Sequence, residues 1–206
     1  MIAEDLLDLA PVIPVVVLED AGAAVPLARA LVEGGLPVIE VTLRTPAALE
    51  AITRIAAEVP DAVVGAGTVV RPEDAERSAA AGARFLVSPG CTPRLQAAMV
   101  ATGLPFLPGV ATASEAIALL EGGITAMKFF PAEAAGGTAY LKSLAGPLPR
   151  IRFCPTGGIG PGNAAEYLAL KNVGCVGGSW LTPADAVRDG DWDRVRKLAE
   201  EAAALR

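Results

Sequence analysis

Lys128 is the only charge in the apolar run Thr125-Ala126-Met127-Lys128-Phe129-Phe130-Pro131, whereas Lys142, Lys171 and Lys197 lie in or beside polar, helix-like stretches. An ammonium in such a run must be paired, reach water or give up its charge, because burial disfavours the charged form. A free lysine amine, with an ordinary pKa of about 10.4, is neutral less than about 0.1% of the time at pH 7. Surroundings that raise that fraction turn a cation into a nucleophile, which can attack a ketone. The resulting iminium is an electron sink for breaking the neighbouring carbon–carbon bond. Two readings of Lys128 stay open at this point, a structural ion pair and this amine chemistry.

A second constellation lies in Val38-Ile39-Glu40-Val41-Thr42-Leu43-Arg44. Side chains alternate along a strand, so Ile39, Val41 and Leu43 share an apolar face, and Glu40, Thr42 and Arg44 share the other. A carboxylate and a guanidinium on one buried face form either a structural pair or a functional one. In the functional reading Glu40 is a general acid/base and the planar fork of Arg44 holds a two-oxygen acid. By the same alternation Lys128 shares a face with Ala126 and Phe130, opposite Met127 and Phe129.

Two further runs end in glycines, Thr156-Gly157-Gly158-Ile159 and Gly177-Gly178-Ser179. Both are ordinary turn signatures. They also let the backbone approach an anion closely, with Ser179 adding a hydroxyl. Gly65-Ala66-Gly67-Thr68 reads as a tight turn with Thr68 offering a hydroxyl, and Ser88-Pro89-Gly90 as a turn in which Pro89 shapes a cavity wall. Trp180, Trp192 and Tyr167 read as packing. Cys91, Cys154 and Cys175 are far apart and form no CxxC motif, so they read as reduced thiols. The chain has no histidine. That excludes a Ser-His-Asp triad, a Cys-His dyad or a His-ligated metal within this chain, and leaves proton transfer to carboxylates, lysine, tyrosine, hydroxyls or water.

The elements that must position these groups recur regularly. β-rich runs fall at 12–18, 38–43, 62–66, 85–88, 106–109, 126–129, 152–155 and 173–177. Alanine- and leucine-rich segments with helical spacing lie between them, at 24–32, 46–58, 72–81, 93–102, 114–121 and 161–170. Several open on Pro after Thr or Arg and several close on Gly, the asymmetry expected of helix ends. Eight strands alternating with helices predict an α/β fold, a (β/α)8 TIM barrel in a single domain over residues 1–206. A doubly wound open sheet is the alternative. Residues 1–10 read as an extra N-terminal amphipathic helix that plugs the barrel bottom. Pro14 sits awkwardly in the first strand, where it removes a ladder donor. In a barrel, chemistry gathers at the C-terminal strand ends, and phosphate often sits on the loops after strands seven and eight. The residues singled out above fall at those ends.

Composition narrows the partners. The 206 residues are 52% hydrophobic but only 4% aromatic, so the core must be aliphatic. A net charge of −6 with no basic run argues against nucleic acid. The longest apolar run, residues 9–18, is broken by Pro11 and Pro14 and is too short to span a bilayer. The acidic start, Met1-Ile2-Ala3-Glu4-Asp5, does not fit a signal peptide. No membrane association and a cytoplasmic location are expected.

The motifs Glu40-Val41-Thr42-Leu43-Arg44-Thr45, Gly65-Ala66-Gly67-Thr68-Val69, Lys128-Phe129-Phe130-Pro131-Ala132-Glu133, Phe153-Cys154-Pro155-Thr156-Gly157-Gly158-Ile159 and Gly177-Gly178-Ser179-Trp180-Leu181 together resemble the 2-keto-3-deoxy-6-phosphogluconate (KDPG) aldolase family. That family includes 4-hydroxy-2-oxoglutarate aldolases, and the likeness runs in order over nearly the whole chain. It implies a class I lyase on a homotrimeric (β/α)8 barrel that needs no metal and no cofactor. The implied reaction is reversible cleavage of a phosphorylated keto acid to pyruvate and glyceraldehyde 3-phosphate, as in the Entner-Doudoroff route of carbohydrate metabolism. By resemblance Lys128 is the Schiff-base lysine and Glu40 the general acid/base. Arg44 and Thr68 handle the pyruvate carboxylate, Thr156 lies near the substrate, and Gly157, Gly158, Gly178 and Ser179 cradle the phosphate. Pro89, in the turn that shapes the cavity wall, is a further substrate-binding candidate on its position alone.

Two departures bear on the aldehyde side of the substrate. Glu19-Asp20 stands where some relatives carry a basic residue, and Ala135 stands where the Pro-Ala-Glu-Ala-Asn-Gly-Gly loop has its Asn. Alternative substrates for the same chemistry are 4-hydroxy-2-oxoglutarate and the galactonate epimer, 2-dehydro-3-deoxy-6-phosphogalactonate. Other rivals are a metal-dependent isomerase, disfavoured by the missing histidine, and a phosphosugar sensor without turnover.

Overall fold

A computed structural model describes residues 2–205. Its strands are β1 (Val12–Val16), β2 (Val38–Thr42), β3 (Val63–Gly67), β4 (Leu86–Val87), β5 (Phe106–Leu107), β6 (Gly109–Val110), β7 (Ala126–Phe129), β8 (Arg152–Pro155) and β9 (Val176–Gly178). Between and around them run α1 (Ala3–Leu6), α2 (Ala24–Glu33), α3 (Ala48–Glu58), α4 (Pro72–Ala80), α5 (Pro93–Ala101), α6 (Ala113–Glu121), α7 (Gly137–Leu144), α8 (Ala164–Leu168), α9 (Ala184–Asp189) and α10 (Trp192–Ala203). The helix starts are chemically marked. Thr92 accepts from the Leu95 N–H at 3.2 Å just ahead of Pro93. Thr112 and Glu115 bond each other's backbone N–H groups, satisfying donors that a helix end leaves open.

All strand pairings are parallel, in the orders β5-β4-β3-β2-β1-β9 and β6-β7-β8. Isolated parallel bridges, Phe153 to Val173 and Thr156 to Gly177, join the run of β8 to the run leading into β9. The result is an α/β fold with a curled parallel sheet. The larger apolar cluster, including Ile39, Val41, Met127 and Phe129, fills the space between strands and helices. A smaller one lies on the opposite strand face, with Ile13, Val38, Phe85, Val87, Leu107, Ala126 and Cys154. Glu40 and Lys128 therefore share the inner face that alternation assigns to them, while their neighbours anchor the outer one. Phe129 stacks on Tyr140 with ring centroids 5.8 Å apart and meets Phe153 edge-on at 6.2 Å. A fully buried side chain of this size contributes roughly 1.5–3 kcal/mol, so the direction of Lys128 is set by the packing of its neighbours.

Several expectations change in detail. The expected strand at 106–109 is two short pieces, because Pro108 has no N–H to give to a ladder. Its carbonyl nevertheless accepts from the Lys128 N–H at 3.0 Å, so the break still holds the lysine strand. Pro14 is tolerated in β1 because it makes the last pair with β9, opposite Gly178, while pairing to β2 begins at Val15. The N-terminal helix expected over 1–10 is the single turn Ala3–Leu6, and its Met1 end lies outside the described residues. Leu6 and Leu7 are fully buried in the inner cluster, and Asp8 beyond them takes a two-pronged bond from Arg152 at 2.7 and 2.9 Å. Gly65 and Gly67 are strand residues of β3, not a turn.

Candidate active site

Lys128 Nζ lies 3.2 Å from Glu40 Oε1, and both side chains are about 95% buried, at 5% and 4% exposed. Register explains how residues 88 positions apart meet. Lys128 stands between Gly109 on β6 and Cys154 on β8, and Glu40 between Val15 on β1 and Gly65 on β3. The pair spans the inner space of the curled sheet and does not sit within one ladder. The Lys128 ammonium also lies 5.4 Å from the Phe130 ring centroid, a favourable cation–aromatic contact. Sequence reasoning assigns no role to Phe130; the available signal was its place two residues on, which puts it on the lysine's face.

Gly67 makes room for the carboxylate. A Cβ there would stand 2.1 Å from Glu40 Oε1 and 2.5 Å from its Cγ. Something must move, and in a buried site the movable group is Glu40. We expect Gly67→Ala to lower kcat/KM by about 10- to 100-fold, since small displacements of a reacting group act on rate at that scale. Steady-state kinetics beside a thermal melt would check this; an unchanged rate would mean Glu40 has no fixed role.

Arg44 lies beyond the end of β2, so a turn places it and not strand alternation. Its N–H donates to the Thr42 carbonyl at 2.8 Å, and its Nε donates to Thr68 Oγ1 at 3.2 Å. Thr68 has φ 58°, the one non-glycine residue with positive φ among the described residues. A β-branched residue there carries about 1–3 kcal/mol of backbone strain, a feature that clusters at functional sites. Thr42 is fully buried, and its hydroxyl donates to the Val16 carbonyl at 3.0 Å, so it serves the scaffold.

Pro89 is half-buried, with its carbonyl carbon 2.2 Å from where a Gly109 Cβ would be, one strand from Lys128. Thr156 is buried and bridged to Gly177, which brings Gly157 and Gly158 alongside Gly178 and the exposed Ser179. The structure thus groups the candidates in three sets: Lys128 with Glu40 on the inner faces of β7 and β2, Arg44 with Thr68 just past the ends of β2 and β3, and the two glycine runs at the ends of β8 and β9. Cys91 belongs to none of them; burial pushes its thiol up to about 11, leaving it protonated at neutral pH. Among the described residues no cluster of three or more His, Cys, Asp or Glu could hold a metal ion.

Comparison with known proteins gives the same direction. The family model described as "Aldolase: KDPG and KHG aldolase" matches residues 3–198. A KHG/KDPG aldolase of Escherichia coli is 54% identical over 201 residues, covering 97% of this chain and 94% of that protein. A 2-dehydro-3-deoxy-phosphogluconate aldolase of Dickeya dadantii is 55% identical over 203 residues, covering 98% and 95%. Among solved structures, a KDPG aldolase from Legionella pneumophila, with pyruvate captured at low pH as a covalent carbinolamine intermediate, superposes with TM-score 0.96 at 44% identity, covering 98% of both chains. Matching over nearly the full length of protein and relatives alike, the chain belongs to the KDPG and KHG aldolase family.

Proposed function

We propose that this chain is a class I aldolase, a lyase that reversibly cleaves 2-dehydro-3-deoxy-6-phosphogluconate to pyruvate and D-glyceraldehyde 3-phosphate. One observation carries the mechanism: a buried lysine nitrogen 3.2 Å from a buried carboxylate on the inner face of the parallel sheet, in a chain of this family. The Lys128 ammonium passes a proton to the Glu40 carboxylate 3.2 Å away, and the freed amine adds to the C2 ketone to give a carbinolamine. Glu40 returns the proton to the departing hydroxyl, which leaves as water to give the iminium. Glu40, through a water, takes the C4 hydroxyl proton. The C3–C4 electron pair moves onto the iminium as an enamine while the C4 oxygen becomes the aldehyde. Glu40, through the same water, delivers that proton to C3, and hydrolysis of the iminium then releases pyruvate and restores the amine. Capture of a pyruvate carbinolamine in the Legionella relative supports a covalent carbinolamine on this route.

Arg44, oriented by Thr68, binds the pyruvate carboxylate, with Pro89 and Thr156 against the substrate. Gly157, Gly158, Gly178 and Ser179 hold the phosphate. The reading extends to a closed eight-stranded barrel in a single domain over 1–206, supported by the bridges from β8 to the β9 run and by β5 and β6 flanking Pro108 as one interrupted strand. The single-turn helix α1 and the buried Leu6 and Leu7 then plug one end. We place the enzyme in the cytoplasm as a homotrimer, the latter on family resemblance. Among the described residues no helix is long and apolar enough to cross a membrane. The pairing of KHG with KDPG in the name of the Escherichia coli relative favours 4-hydroxy-2-oxoglutarate as a second substrate.

Borohydride reduction with pyruvate, with and without EDTA, followed by peptide mapping, tests the reading. A reduced pyruvyl adduct on Lys128, insensitive to EDTA, is expected. No adduct on folded protein would make Lys128 structural and reopen the metal-dependent and sensor readings.

A further inference from the structure

Glu133 and Tyr167 take no part in the chemistry described above, and they join the loop that follows the lysine strand to the glycine loop that follows β8. Tyr167, on α8, is fully buried, and its hydroxyl donates to Glu133 Oε1. Burial first, and then this carboxylate, hold the phenol well above its ordinary range, so it remains a donor. The backbone makes the same connection: Ala132 N–H donates to Thr156 O at 2.8 Å and Glu133 N–H to Gly157 O at 3.1 Å. The side chain of Glu133 rests on Gly158, whose φ is +79° and where a Cβ would stand 2.5 Å from Glu133 Cγ. On the far side of the loop, Asn163 donates to Gly158 O at 3.1 Å and accepts from Gly160 N–H at 2.9 Å. Glu133 is five residues from Lys128, with one short loop between them.

We infer that Glu133 and Tyr167 are a positioning pair that fixes the glycine loop relative to the lysine strand, and so sets the enzyme's preference for phosphorylated substrates. The inference rests on the reading of Gly157 and Gly158 as part of the phosphate cradle. Neither side chain touches the reacting carbons. The pair acts by holding the distance between amine and anion site, which matters only to a substrate that occupies both at once. 4-Hydroxy-2-oxoglutarate engages the amine and Arg44 but carries no phosphate, and its distal carboxylate, bonded directly to C4, is shorter than the phosphate-bearing arm that must span amine and glycine loops.

The test compares Tyr167→Phe, Glu133→Ala and the double variant with Glu133→Gln, which keeps an acceptor for the phenol. Substrates are 2-dehydro-3-deoxy-6-phosphogluconate and unphosphorylated 4-hydroxy-2-oxoglutarate. Losing a hydrogen bond to a charged group is worth roughly tenfold or more. We expect Tyr167→Phe and Glu133→Ala each to lower kcat/KM on the phosphorylated substrate about 10- to 30-fold, mainly through KM. The loss on 4-hydroxy-2-oxoglutarate should stay under about threefold, Glu133→Gln should retain most activity, and the double variant should be no worse than either single. Borohydride trapping of pyruvate on Lys128 should be unchanged in every variant. Equal losses on both substrates, no loss on either, or additive losses in the double variant would overturn the inference. Should Tyr167→Phe fail to fold, the contrast between Glu133→Ala and Glu133→Gln decides alone. Absence of the pyruvate adduct in the unaltered protein is a different result and would instead overturn the aldolase reading.

Discussion

Lys128→Ala is expected to reduce aldol cleavage by roughly 10^5-fold or more, to background, because removal of a covalent nucleophile leaves only binding and residual electrostatics. The pyruvate adduct should vanish with it. A stability effect must be separated from that chemical one. With the ammonium gone, the Glu40 carboxylate keeps its burial but loses its partner 3.2 Å away. Breaking one side of a buried pair typically costs about 3–5 kcal/mol. In a chain of this size that corresponds to a melting temperature lower by about 6–20 °C, at roughly 2–4 °C per kcal/mol. Adding Glu40→Gln to Lys128→Ala removes the orphaned charge, so the double variant should recover much of the melting temperature and none of the activity. Thermal melts and an assay of pyruvate release, run on the same preparations, check both statements. Activity retained by a folded Lys128→Ala protein would end the Schiff-base assignment.

The features legible in the sequence are those that depend on local period and order. A lone lysine in an apolar run is visible because every neighbour is apolar, and alternation around Glu40 and Lys128 settles which face each takes. Both residues do lie on the inner face, opposite Ile39, Val41, Met127 and Phe129. The alternation of strand and helix likewise follows from short-range signals such as Thr92-Pro93 and the closing glycines.

What the sequence hides is set by contacts between distant segments. Arg44 has the parity of an inward strand residue, yet β2 ends at Thr42, and the arginine's direction comes from a turn and from Thr68. The left-handed backbone of Thr68 has no signature, since threonine is among the last residues expected there. Gly67 reads as turn punctuation; its reason is the carboxylate of Glu40, which occupies the volume a side chain would need. Tyr167 reads as packing because its hydroxyl's partner is 34 residues away on another loop. The hydroxyl of Thr42 looks available for chemistry and is taken by the Val16 carbonyl. In each case type and spacing identify the residue, and only the tertiary partner shows its use.

Glu40→Gln separates the two roles that a carboxylate beside a lysine can have. Glutamine is nearly isosteric and keeps an acceptor oxygen for Lys128 Nζ, so the amine should still condense with pyruvate and still be trapped by borohydride. It cannot take a proton. If Glu40 is the general acid/base, every step that moves a proton at C3 or at the C4 hydroxyl slows, by about 10^2- to 10^4-fold for a positioned catalyst of this kind. Exchange of the pyruvate methyl protons with deuterated water, followed by NMR, reads this without any aldehyde present, because exchange requires enamine formation and reprotonation at C3. The expected result is an adduct formed in near-normal yield with methyl exchange and aldol cleavage falling together. If Glu40 were only a counterion, the same variant would lose adduct yield and stability in proportion while exchange per adduct stayed normal. The ratio of exchange rate to adduct yield therefore decides between a carboxylate that moves protons and one that merely neutralises a charge.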